Sequence, residues 1–566
     1  MKKIFFTFRF LLYTFIFLGI FNSSHGKILE FNRDAKKISN YFSGLVSFNE
    51  ADYKSSEKFL KKLNNFENDN KKYSSRFIQS LVNLEKFNEV YKYSKKLEKK
   101  NQSVFESNLF LGLYELKSLN YEKASVYFSK LEPNYDHGLI FEVLQPSLNS
   151  WIKIFRSENK ENINLFNFQN RASNNLEIIQ KTFAHCYLQT KSTEKEFTSI
   201  FNNEKINFFR YNFFISNYFL NKNEIDKAKK FINLSHEKYP SNLLISQLRK
   251  VVIQNEGNQN IFNCKNSNDV VAEIFYILAN ALSSQEKYKL SNFYINLSKF
   301  LNPNFLSYDT LLAENFIVLN RYDRAEKIYK NLFKVGSVYK WYASKRIAMI
   351  MDEKENSDSV KFLSGIYKNI KPGIYETFDF ANFLRNKENY KESIDLYSDI
   401  LLQIEKNHKL YPEILERRGM AYERSNNWEL GEKDLVKSLE MKPNDAYVMN
   451  YLAYSWIEKN QNIKKSLKML KEANSLERNS GYITDSLGWA LFKSKNYSEA
   501  KKYLEMAVIL MPRDPVINDH YADSLWMNNF KIQARYYWNN VLQSEKADDE
   551  LKKKVEKKIL FGLENS

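Results

Sequence analysis

The chain of 566 residues is 43% apolar and 16% aromatic, with only 14 glycines and 9 prolines, a balance that excludes a disordered or loop-dominated protein. Its two cysteines exclude a disulfide scaffold, and Cys186 and Cys264 read as isolated buried thiols, with pairing in an oxidising space as the alternative. The formal charge of +18 lies mostly before residue 412 and reads as solvated lysine-rich helix faces; no groove-reading motif accompanies it, so nucleic acid is not an expected partner.

In chain order, a signal-like segment comes first. Lys2, Lys3 and Arg9 precede an uncharged apolar run over 10–21, and Ser24, His25 and Gly26 then offer small residues at the two positions a signal peptidase reads. Residues 1–26 are therefore expected to be a secretory signal, with Lys27 starting the mature protein and an uncleaved membrane anchor as the alternative. No cysteine stands near this site, so a lipid-anchored start is not expected.

From Tyr53 onward, an aromatic residue followed three places later by a small or β-branched one recurs at intervals that return to 34 residues. The pairs are Tyr53/Ser56, Phe87/Val90, Tyr121/Ala124, Tyr288/Ser291, Tyr322/Ala325, Tyr390/Ser393, Trp428/Gly431 and Tyr497/Ala500. Such a period is that of tetratricopeptide (TPR) units, each a helix pair with small residues where the two helices approach. Pro240, Pro303, Pro443 and Pro512 each follow an apolar helical run, where a residue without an N–H stops the helix at little cost. The predicted fold is an all-α, TPR-type helix-turn-helix solenoid wound as a right-handed superhelix, stabilised by stacking rather than by one central core.

Its predicted segments are N-terminal TPR-like repeats over 27–138, an irregular helical stretch over 139–208, and middle TPR-like repeats over 209–411. Well-formed C-terminal repeats then fill 412–548, and a lysine-studded capping helix fills 549–566. A bend between two superhelical blocks is expected in the irregular stretch or in the asparagine-rich 255–268.

Chemistry is scarce. The histidines form neither H-x-x-x-H nor H-E-x-x-H, His185 and Cys186 diverge by about 100° on a helix, and no phosphate-binding loop or nucleophile elbow occurs. No enzyme, cofactor or metal is expected. What remains is a binding face. Positions 2, 5, 9 and 12 of each first helix should line the concave side, which selects Tyr447, Asn450 and Tyr454, then Tyr482, Asp485 and Trp489, then Asp519, Asp523 and Trp526. Aromatic rings beside amides and carboxylates suit an extended peptide with basic groups. The three aspartates are expected to be exposed, since unpaired buried carboxylates are costly. Trp489 and Trp526 divide between groove and core.

The segments N-Y-L-A-Y-S-W at 450–456, Y-I-T-D-S-L-G-W at 482–489, D-P-V-I-N-D-H-Y-A-D at 514–523 and A-R-Y-Y-W at 534–538 resemble a family of exported proteobacterial TPR proteins. That family includes an outer-membrane lipoprotein that brings peptidoglycan hydrolases to a carboxyl-terminal processing protease. The resemblance covers about the last 140 residues and implies a periplasmic scaffold or adaptor, with a protease or cell-wall hydrolase as partner and envelope proteolysis or peptidoglycan turnover as setting. The alternative is a component of an envelope polysaccharide assembly or export complex. Membrane contact is expected only if the N-terminal segment stays uncleaved.

Overall fold

The computed structural model describes residues 25–63, 71–133, 137–167, 174–203, 210–254, 261–355 and 357–563. The expected signal lies outside these residues apart from its last two, where the helix His25–Asn49 begins. All regular structure among the described residues is helical, as the repeat predicts. The chain packs as two units, 1–366 and 367–566, and both the irregular stretch and the asparagine-rich stretch lie inside the first.

The 34-residue period has a local cause. In turns between paired helices one residue adopts the left-handed conformation, as at Ala51, Glu85 and Leu119, at Glu286 and Asn320, and at Asn426, Lys495 and Asn529. Asparagine recurs there because its short polar side chain tolerates positive φ. Two residues later the aromatic of the ladder opens the second helix, as Tyr53, Phe87, Tyr288 and Tyr497 do. The small residue one turn on faces the first helix at close range: Ser56 Oγ donates to the Gly44 carbonyl at 2.9 Å and Ser291 Oγ to that of Ala279 at 2.7 Å. Helices ending at Lys238, Leu301, Met441 and Leu510 are followed by the four stop prolines.

The first unit does not stay open. Helix Tyr288–Leu301 is buried from Ser291 through Leu301 almost without interruption, because it packs on the first helices Lys71–Asn83 and Phe105–Lys117 of the N-terminal repeats. The seam is polar as well as apolar. Lys299 Nζ reaches Glu85 at 2.6 Å and Asp309 at 2.7 Å, Arg324 donates to the Asn83 carbonyl at 2.9 Å, and Phe87 packs on Phe300 with ring centres 4.9 Å apart. A fully buried knot adds to it: Glu106 accepts from Gln79 at 2.7 Å and pairs with His137 Nε2 at 3.0 Å, while His137 Nδ1 meets the Tyr294 hydroxyl at 2.8 Å. The N-terminal repeats thus hold a later helix of their own chain.

The reading of Cys186 and Cys264 as isolated thiols is corrected. They form a disulfide across 78 residues of sequence, with Cα atoms 5.9 Å apart. The bond joins helix Asn174–Tyr187 to the loop before helix Ser267–Ser284, a loop also held by the Asn217 amide on the Phe262 carbonyl at 2.6 Å. Sequence spacing could not show this proximity.

The second unit contains five helix pairs between Ile374 and Gln543, and helix Asp549–Phe561 packs on the last of them. In the second pair the neighbour at close range is backbone: a Cβ added at Gly431 would lie 2.8 Å from the Gly419 carbonyl oxygen.

Candidate peptide-binding face of the C-terminal repeats

First helices Ala446–Glu458, Gly481–Lys493 and Pro515–Met527 carry all nine candidate residues. Tyr447 and Tyr482 occupy the same position of successive repeats and are 59% and 58% exposed, and Val516 continues that column. Asn450 and Tyr454 are half-buried. Asn450 Oδ1 is sealed from water without a donor, an arrangement that costs about 1–3 kcal/mol. Burial raises the Tyr454 hydroxyl well above the ordinary tyrosine range, and Glu458 and Asp485 push it further in the same direction.

The expectation that the three aspartates are exposed is corrected. Asp485, Asp519 and Asp523 are each more than nine-tenths buried, and the objection to burial fails because each has a cationic or N–H partner. His520 Nδ1 lies 3.0 Å from Asp485 Oδ2, and its ring stacks on Trp489 with centres 4.0 Å apart. Lys558 Nζ contacts both oxygens of Asp519 at 2.8 Å and those of Asp523 at 2.8 and 2.9 Å. Trp538 Nε1 also donates to Asp523 at 3.0 Å.

Charge sets the directions of titration here. Burial alone would depress the His520 imidazole, but Asp485, helped by Asp519 and Asp523, holds it above its ordinary value. Burial raises the Asp523 carboxyl, Asp519 beside it raises it further, and Lys558 opposes both. Lys558 loses solvation yet remains a firm cation because the two carboxylates outweigh that loss. Three acids and two bases therefore form one network that links two repeats to the terminal helix.

The two tryptophans differ in their neighbours. Trp489 is half-buried, stacks on Phe492 as well as His520, and donates from Nε1 to Glu458 at 2.7 Å. Trp526 lies against Trp538 and under the Arg535 guanidinium, 5.0 Å from its ring centre. Gly562, at φ +77°, leaves no room for a side chain beside it. His520, Lys558 and Glu458 were not selected from sequence. The signal for two of them was arithmetic: Asp485 to His520 and Asp523 to Lys558 are both separations of 35 residues, one repeat plus one place.

No family model matches the chain. Over 112 residues it is 28% identical to a TPR repeat-containing protein of Pseudomonas aeruginosa, and the match spans 19% of this chain and 19% of that relative's length. Among solved structures, MamA from Desulfovibrio magneticus RS-1 aligns at 15% identity over 31% of this chain and 97% of its own, with a TM-score of 0.27. A thermophilic TPR protein of Thermus thermophilus aligns at 14% identity over 33% of this chain and 100% of its own, with a TM-score of 0.29. The fold is the TPR type, and it rests on the chain's own helix pairs. TPR stacks present extended concave surfaces that serve protein–protein interaction.

Among the described residues no group of three or more histidine, cysteine, aspartate or glutamate side chains is arranged to hold a metal ion. No described helix is long and apolar enough to cross a membrane. In the first unit a cavity of about 430 Å³ borders Arg210, Tyr276 and Tyr339, but the guanidinium is committed to Glu273 through two bonds of 2.7 and 2.9 Å.

Proposed function

We propose that this chain is an exported scaffold whose C-terminal repeats hold an extended segment of a partner protein. The observation that carries the reading is the contrast between the units. First helices of the N-terminal repeats are covered by helix Tyr288–Leu301, whereas the C-terminal first helices leave Tyr447 and Tyr482 standing in water at equivalent positions. Isolated exposed tyrosines mean little, but a column of them at repeat spacing beside Asn450, Tyr454 and Trp489 has the composition of a peptide-binding surface. Rings give contact area at low entropic cost.

Export is supported by the N-terminal sequence and by the disulfide, since such bonds persist in oxidising compartments. Within the envelope, the partner class that the C-terminal motifs favour is a periplasmic protease or a cell-wall hydrolase. The scaffold would act by recruitment: bringing two proteins onto one chain raises their effective concentration without chemistry of its own. Affinity purification of the tagged protein from envelope extracts should recover a protease or hydrolase, and that yield should fall at least tenfold for Y447A/Y482A. Recovery of no protein partner, or a yield that the double substitution leaves unchanged, refutes the reading. Amino-terminal sequencing of the mature protein should begin at Lys27, and a start at Met1 refutes cleavage.

A further inference from the structure

We infer that the first unit carries a binding site for a medium-chain carboxylate, its tail in an apolar cavity and its head on Lys334. The site is independent of the peptide face of the C-terminal repeats. The cavity has a volume of about 210 Å³ and lies among helices Leu243–Gln254 and Ser337–Glu353 and the turn that follows helix Tyr288–Leu301. Its depth is hydrocarbon, since Phe213, Leu248, Val251 and Phe305 line it and are buried. Its rim is polar: Asn304 and Lys334 are exposed there, and among the described residues Lys334 has no carboxylate partner.

The walls are fixed by the fold. Lys334 stands two residues before Gly336, whose φ is +148° and whose added Cβ would lie 2.2 Å from Gln247 Nε2, so only glycine lets the turn close over that side chain. Gln247 Oε1 in turn accepts from the Val338 N–H at 3.2 Å. Ile261 supplies another part of the wall, and its carbonyl accepts from the Asn302 amide at 3.1 Å in the loop that the Cys264 disulfide ties down. The cavity is thus formed without a ligand to shape it.

The chemistry of the ligand follows from the two ends. Water is held only where several polar partners surround it, and the four buried apolar side chains supply none. Hydrocarbon suits them, and because an apolar cavity of about 150 Å³ already takes a six-carbon ring, this one admits a chain of about eight carbons. The inner end is a polar neck, where Ser307 and Tyr339 are shared with the larger cavity beside Arg210. Ser307 Oγ is sealed from water and lies beside the Tyr339 hydroxyl without completing a hydrogen bond. Methylenes pressed against it would seal a hydroxyl in hydrocarbon, so the neck limits the length of the tail. At the rim, one ammonium without an acid of its own selects a singly charged anionic head over a neutral or cationic one.

Calorimetric titration of the full-length protein with straight-chain carboxylates tests this. From butanoate to octanoate each added methylene should tighten binding about fourfold, and decanoate should bind no more tightly than octanoate. K334E, on an exposed turn, should weaken octanoate about tenfold and leave the affinity for 1-octanol unchanged. V251F, which puts a ring where the tail lies, should abolish binding of both. Absence of saturable octanoate binding, equal octanoate affinity of native and K334E protein, or full affinity in V251F overturns the inference. Affinity that keeps rising through decanoate overturns it too, because the neck would then set no limit. If V251F loses helicity by circular dichroism, the chain-length series and K334E decide the matter without it.

Discussion

His520 shows how one side chain can couple two repeats to pH. Its imidazole is held above the ordinary value of 6.5 by Asp485 first and by the other two acids, so between that value and its folded pKa the native state retains a proton that the unfolded chain has released. The contribution is complete below about pH 6.5 and is lost as pH rises through the folded pKa. The raised Asp523 carboxyl acts with the same sign in its own window, above the ordinary 3.8, because there too the folded state binds the extra proton. The protection factors of the amides of Gly481–Lys493 and Pro515–Met527, taken relative to the intrinsic base-catalysed rate at each pH, should therefore be higher at pH 6 than at pH 8, and H520A should flatten most of that difference. A difference of the opposite sign would contradict the assignment. The position of His520 in I-N-D-H was visible in the sequence, but its partner was not, because a separation of 35 residues becomes a contact only once repeats stack.

Helix pairs outside the irregular stretch 139–208 were largely legible because aromatic, small and proline positions recur with the period of the turn geometry. The left-handed turn residue was the part missed: glutamate, asparagine, leucine and lysine all serve there, so composition alone does not mark it. Glycine positions make the packing testable. G431A places a methyl 2.8 Å from the Gly419 carbonyl, where backbone must move, and should destabilise the second unit by about 1–3 kcal/mol in urea unfolding. In helix Ser359–Asn369, a Cβ on Gly365 meets nothing within 4 Å. There G365A should be neutral or stabilising by up to about 1 kcal/mol through helix propensity. Equal effects of the two substitutions would show that helix approach is not limiting in the second pair.

For the whole molecule, the periodic sequence predicts a superhelix stabilised by stacking of neighbouring repeats, and the closure of the first unit was not readable from it. Closure depends on pairs far apart in sequence, such as Glu85 with Lys299 and Asn83 with Arg324, and no repeat rule links those positions. Lys299 sits between Glu85 and the buried Asp309, so K299A leaves a carboxylate without its cation and should cost about 3–5 kcal/mol, read as loss of protease resistance across Tyr288–Leu301. The Cys186–Cys264 disulfide is a second non-local tie, and C186S should lower stability by about 2–4 kcal/mol in oxidised protein while leaving reduced protein unaffected.

The central claim is that the first helices of the C-terminal repeats, and not those of the N-terminal repeats, receive a partner segment. Site-specific photo-crosslinking in the intact exported protein tests it most directly, with the probe at Tyr447, at Tyr482 and, as an exposed control, at Leu402. Tyr447 and Tyr482 should capture the same polypeptide, Leu402 should not, and N450A in the same chain should abolish both adducts. Capture at Leu402 with no adduct at either tyrosine, or adducts that N450A leaves unchanged, would contradict it.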